Sequence, residues 1–450
     1  MRPLRVAARW VLPVAGDPIA HGAVLVGADG RIAAVGGAAS VPRPGDAEAI
    51  ELGDAALLPG LVNAHSHLEL TALRGLARDL PFPGWLQTVR ALKGALDPEG
   101  LRASTRFGVL ESFAAGITTS ADTGSGQQVA PALAGLGGRG IAYHEVYGPD
   151  PASCGEVVAD LERALDTAQA YQSDRVTLGL APHAPYTVSE PLLTAITAVA
   201  SARGLKTAMH VAESREEREL VEEGRGPFAD ALRSRGIPVE ARGSTTVRWL
   251  ERVGFLACRP LLIHCVTAGA DDFRAAHRWG ATAVHCPWSN ARLGHGRADL
   301  GAMREAGLAV GLGTDSVAAG GRLDLFAEAR FAALGHVMTA GQMLRLATAD
   351  GASALGLEGV GTLTCGAWGD LAAVDLSGPA FAAAPDPEEA VAWGATASDV
   401  VLAAVAGRVV YRSGHWPGVD VAAEAAGFAR AAAAAGVSRG ASAGGIIAPS

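Results

Sequence analysis

The sequence predicts an α/β protein: a (β/α)8 TIM-type barrel with a small β-sandwich domain built from both termini. Three observations predict it. In the middle of the chain, residues 58–365, short apolar runs alternate with helical patterns. Both ends read instead as short strands with turn punctuation. Ionisable residues stand at the C-terminal ends of several apolar runs, where such a barrel carries its active site.

The bulk numbers suit this size of fold. The chain has 450 residues, 49% hydrophobic and 18% charged, enough for one large domain and a smaller one. Net charge is −9 with no basic block, so nucleic acid and anionic membrane are not expected partners. Cys154, Cys258, Cys265, Cys286 and Cys365 form no C-x-x-C pair, which suits reduced thiols in a cytoplasm. Arginines interrupt the apolar positions of residues 1–16, so no signal peptide is expected. No apolar run approaches the ~18 residues of a membrane span.

The elements follow in order. Residues 1–57 form the first part of the β domain. There 22–26 and 31–35 read as a hairpin joined by Asp29-Gly30. Barrel strands are expected at 61–64, 116–120, 140–146, 176–181, 206–211, 260–265, 281–286 and 309–313. Helical patterns fall at 101–115, 156–171, 190–202, 246–253 and 271–279. A doubly wound open sheet is the alternative, but no G-x-G-x-x-G follows the first strand. Residues 366–420 return to strands and complete the β domain. The last stretch, 421–450, is an Ala/Gly-rich tail that begins as a short helix.

The strand ends carry the chemistry. His65 and His67 alternate with Ser66, so both point to one face and can share one ion. Strand five ends in His210 and Glu213, strand six in His264, and strand eight in Asp315. Three imidazoles and a carboxylate (His65, His67, His210, Asp315) form a shell for one divalent metal, zinc first and iron second. Such an ion would lower the pKa of a water from about 15.7 toward ~7. Glu213 is then the proton carrier, and His264 a hydrogen-bond partner of the tetrahedral centre. His144 and His285 lie within their strands and are read as structural. The chain has only two lysines, Lys93 and Lys206, and neither falls on strand four. That argues against a lysine-bridged pair of metals and against Schiff-base chemistry.

These residues resemble the amidohydrolase superfamily. The likeness rests on Pro59-Gly60-Leu61-Val62-Asn63-Ala64-His65-Ser66-His67, His210-Val211-Ala212-Glu213, His264 and Gly313-Thr314-Asp315-Ser316, and spans nearly the whole chain. Within it the chain looks like the branch of cytosine deaminases, chlorohydrolases and nucleoside deaminases. A narrower likeness is to 6-aminodeoxyfutalosine deaminases of menaquinone biosynthesis, carried by His183-Ala184-Pro185-Tyr186 and by Cys286-Pro287 with Ser289-Asn290. The resemblance implies the same metal ligands, with Glu213 as shuttle and His264 beside the attacking water. It also implies that His183, Glu69, Trp85 and Asn290 contact substrate. Relatives often carry Arg where this chain has Trp288; Arg292 can replace it, or Trp288 can stack on a ring. A homodimer is implied as well.

The expected function is hydrolytic deamination of an aminopurine-type nucleoside, with aminodeoxyfutalosine the leading substrate. Adenosine or S-adenosylhomocysteine deamination and chlorotriazine-type hydrolysis remain alternatives. So does a catalytically silent binding protein of the same fold.

Overall fold

Two sheets of eight strands organise the chain. The computed structural model describes residues 2–77, 80–334, 336–382 and 384–443. The N-terminal strands are β1 (Leu4–Val11), β2 (Ile19–Val26), β3 (Ile32–Gly37), β4 (Glu48–Glu51) and β5 (Ala55–Pro59). The barrel strands are β6 (Leu61–Ser66), β7 (Ile117–Gly124), β8 (Arg139–Val146), β9 (Val176–Pro182), β10 (Lys206–Val211), β11 (Leu261–His264), β12 (Thr282–His285) and β13 (Val310–Leu312). β14 (Leu371–Asp375), β15 (Val400–Val405) and β16 (Arg408–Arg412) return to the first sheet.

That first sheet is mixed and runs β16-β15-β14-β5-β1-β2-β3, with β4 added beside β1. The expected hairpin is β2 against β3, with Val24 opposite Val35. At its turn Gly30 takes φ 80°, and the Asp29 carboxylate accepts the Arg31 N–H at 3.0 Å. Glycine adopts that backbone at little steric cost.

The second sheet is all parallel, in sequence order from β6 to β13. A parallel bridge between Ser66 and Asp315 brings its two edges together. Side chains alternate between two apolar clusters. Val62, Ala64, Ile141, Tyr143, Ala181 and Ile263 fill the barrel interior. Leu61, Leu178, Leu180, Met209 and Leu262 face the helices. A strand buried on both faces reads as one continuous apolar run, which is why these strands were legible.

Of the tail 421–450, Val421–Ala443 forms a longer helix than the sequence suggests, and 444–450 lie outside the described residues. Phe428 stacks on Phe107 at 4.2 Å between ring centroids. Ala431 and Ala435 are buried in a cluster with Leu73, Phe82 and Trp85. No described helix is long and apolar enough to cross a membrane.

Candidate active site

The polar strand ends converge on one point. His65 lies on β6 and His67 directly follows it, and their ring centroids lie 4.8 Å apart. His210, at the end of β10, lies 5.0 Å from His65. Ligand atoms of these three residues lie within 4.8 Å of one another. Asp315 Oδ1 stands 3.6 Å from both His65 Nε2 and His67 Nε2. Gly313 permits the approach of β13, since a Cβ there would meet His65 Cβ at 2.7 Å.

Donor chemistry fits a metal ion. His65 Nε2 is buried with no hydrogen-bond partner among the described residues. His210 Nδ1 donates to the His183 carbonyl at 2.9 Å, which leaves Nε2 as a lone pair. Burial, with His65 next to it, lowers His210 to about 3. Burial, again with His65, lowers His67 well below its usual value. Neutral imidazoles are the form that binds metal. Ser289 Oγ donates to Asp315 Oδ2, and the Ser316 N–H donates to Oδ1 at 2.6 Å.

Strand ends turn sharply here. Ala212, His264 and Asp315 take φ of 52°, 74° and 55°. Left-handed backbone costs a non-glycine residue ~1–3 kcal/mol, and such strain clusters at functional sites. A buried carboxylate stabilises the β10 turn: Glu217 accepts the Ala212 and Glu213 N–H groups at 2.6 and 2.9 Å.

Glu213 lies between two imidazoles. His264 Nε2 and His295 Nε2 each stand 3.5 Å from its Oε1. Burial would raise its carboxyl, but His264 and then His295 outweigh that and leave it below its usual value. His264 Nδ1 donates to Asn290 Oδ1 at 2.9 Å, so Nε2 faces Glu213.

The amidohydrolase family pattern matches residues 56–410. The chain belongs to the amidohydrolase family. It is similar to a 5-methylthioadenosine/S-adenosylhomocysteine deaminase of Halobacterium salinarum, at 34% identity over 89% of this chain and 92% of that one. Among solved structures it is similar to an adenosine deaminase from Xanthomonas campestris with bound zinc. That match has TM-score 0.85 and 26% identity, over 96% of this chain and 98% of the other. It also shares its fold with Helicobacter pylori aminofutalosine deaminase, at TM-score 0.75 and 22% identity, over 91% of this chain and 100% of the other. This amidohydrolase is a hydrolytic enzyme.

A cavity of about 890 Å³ opens over the amidohydrolase site, and His67, His210, Glu213, His264 and Asp315 line it. His183, Glu69 and Trp85, expected to contact substrate, line it too. Three expected substrate residues stand elsewhere. Asn290 is buried behind His264 and positions that ring. Trp288 is 39% exposed and packs on Phe331. Arg292 donates to the Ala319 carbonyl at 2.5 Å. All three belong to the helix Pro287–Arg292, whose turn sends successive side chains in different directions.

Sequence reasoning missed Lys93, Glu145 and His295 in this amidohydrolase. Lys93 lies on the helix Phe82–Gly94 and pairs with Glu69 inside the cavity. Glu145 sits in a strand read as core. His295 follows the short helix after β12. Its ring meets Phe82 edge-on at 4.4 Å. Only the fold brings these residues to the site.

Proposed function

We propose that this amidohydrolase removes the amino group of a 6-aminopurine nucleoside as ammonia, using one divalent metal ion. The observation that carries this reading is Glu213, ionised and placed 3.5 Å from two imidazoles beside the histidine cluster. His65, His67, His210 and Asp315 would hold that ion, zinc first and iron second, and it would supply a Lewis acid able to bring the pKa of a water toward ~7. Glu213 takes a proton from the attacking water and passes it to the ring nitrogen beside the amino-bearing carbon. That carbon then accepts the oxygen. His264, held by Asn290, hydrogen-bonds the water and the tetrahedral centre. Asp315 and His264 pass the second proton to the amine, which leaves as ammonia.

Cavity shape narrows the substrate. Its wall of Phe82, Trp85, Leu86, Val89, Phe228 and Leu232 is apolar and extends past the space of a purine. Exposed Arg90 and Arg235 also line it, where a carboxylate-bearing tail would end. The cavity therefore has room for a substituent at the 5′ position of the nucleoside. The names of the relatives favour 5′-methylthioadenosine and S-adenosylhomocysteine. Aminodeoxyfutalosine has the same plan.

Ammonia release across those three compounds and adenosine is the direct test. All four inert would sink the reading. Glu213→Gln should keep its metal and lose ~10²–10⁴-fold in kcat. Full activity in that variant, or in metal-stripped protein, would refute the mechanism.

A further inference from the structure

A second polar cluster lies in the same cavity, and the hydrolytic steps do not use it. Glu145 is near the end of β8, and its side chain is 4% exposed. Its Oε2 accepts the Tyr147 hydroxyl. Its Oε1 is buried without a hydrogen-bond partner among the described residues. Leaving a buried polar group unpaired is costly, so such an oxygen in a cavity wall calls for a donor from a ligand.

A second acceptor stands next to it. His183 Nε2 is 3.9 Å from Glu145 Oε1, too far for a hydrogen bond between them. His183 Nδ1 lies 2.7 Å from Thr187 Oγ1. The Thr187 hydroxyl donates its own proton to the Ala184 carbonyl. With the hydroxyl proton on that carbonyl, Nδ1 is the donor to Thr187 and Nε2 is left as a lone pair. Two neighbouring acceptors thus face one cavity, each short of a donor. A ligand with two adjacent O–H groups completes both.

The neighbours narrow the choice. Glu69 is a neighbouring carboxylate, but Lys93 and the Ser125 N–H already donate to its two oxygens. An ammonium on the ligand would come up against Lys93, whose charge acts on Glu145. A neutral hydroxyl meets no such repulsion. Glu145, His183 and His210 lie within 4.8 Å, so a second ion is the rival occupant. His210 argues against it, because its one free nitrogen serves the first cluster.

We propose that Glu145, with His183, forms a hydroxyl subsite that reads a vicinal diol, the ribose 2′- and 3′-hydroxyls of the nucleoside. Glu145 is then a specificity determinant of this chain. The subsite rests on the nucleoside reading above. It also fits the layout, since the His183 ring is 4.8 Å from the His210 ring and the diol would sit beside the metal cluster rather than on it.

The test compares the best nucleoside of the panel with its 2′,3′-dideoxy analogue, in the parent, Glu145→Ala and Glu145→Met. The parent should prefer the diol by about 10- to 100-fold in kcat/KM, as expected for hydrogen bonds to a buried ionisable group. Both variants should lose that preference, mainly through a higher KM for the diol. Their activity on the dideoxy analogue and their metal content should match the parent. Glu145→Met keeps the bulk of the side chain, so it stands in if the Ala variant does not fold. An equal loss on both substrates would make Glu145 merely structural and overturn the subsite. A parallel loss of one metal equivalent would assign Glu145 to a second ion and overturn it as well. If the parent deaminates no nucleoside, the nucleoside reading fails first and the subsite falls with it.

Discussion

Glu213 has two imidazole neighbours, and each has a separate effect. His264 is fixed by Asn290 and turns Nε2 toward Glu213. His295 comes from the other side and is packed against Phe82. Both hold the Glu213 carboxyl below its usual value against the effect of burial. A carboxylate that stays ionised to lower pH keeps its role as base to lower pH. His295→Asn removes one of these effects, so Glu213 should take up its proton at a higher pH. The acidic limb of the kcat/KM profile should then move upward, with metal content unchanged. An unmoved limb would show that His295 only fills space. His285, read from the sequence as structural, is buried with Nδ1 unpaired, and it stands outside this pairing.

At the scale of elements, the cavity wall depends on a partner distant in sequence. The helix Phe82–Gly94 supplies Phe82, Trp85, Val89 and Lys93 to the cavity. The C-terminal helix Val421–Ala443 belongs to the same apolar cluster through Ala431 and Ala435. It is anchored to the helix Pro98–Ala114 by Phe428 on Phe107 and by the Arg106–Glu424 ion pair. Cutting the chain after Asp420 would bare these contacts to water. KM should rise about tenfold while kcat changes less, the signature of lost substrate binding. Unchanged KM in the truncated protein would mean that the wall stands without the helix.

At the scale of the molecule, one buried ion pair joins the two sheets at the end of the barrel away from the site. Arg139 opens β8, and Asp370 immediately precedes β14. Arg139 Nε donates to Asp370 Oδ2 at 2.6 Å, and Nη2 donates to Oδ1 at 3.3 Å. The Ala406 N–H donates to the same Oδ1 at 2.7 Å. Trp368 stacks on the guanidinium at 4.6 Å. Removing one partner strands the other charge, which costs ~3–5 kcal/mol. Asp370→Ala should therefore lower the urea midpoint sharply. Activity per folded molecule should survive, since the site is at the opposite end of the barrel. A variant as stable as the parent would show that the pair contributes little.

The sequence by itself determined the barrel and the cluster of polar residues at its strand ends. Parallel strands must be apolar on both faces, and the residues at their ends are the ones free to be polar. That contrast is local, so His65, His67, His210, Glu213, His264 and Asp315 stood out residue by residue. The Asp29-Gly30 hairpin was local in the same way. Only the tertiary structure decided what faces the substrate. Lys93 is on a helix, Glu145 looked like strand core, and His295 follows a short helix. Their roles depend on where distant segments pack, and no spacing along the chain records that. The same reason explains Asn290, Trp288 and Arg292. They share a helix near the site, but its turn aims one at His264, one at Phe331 and one at a backbone carbonyl.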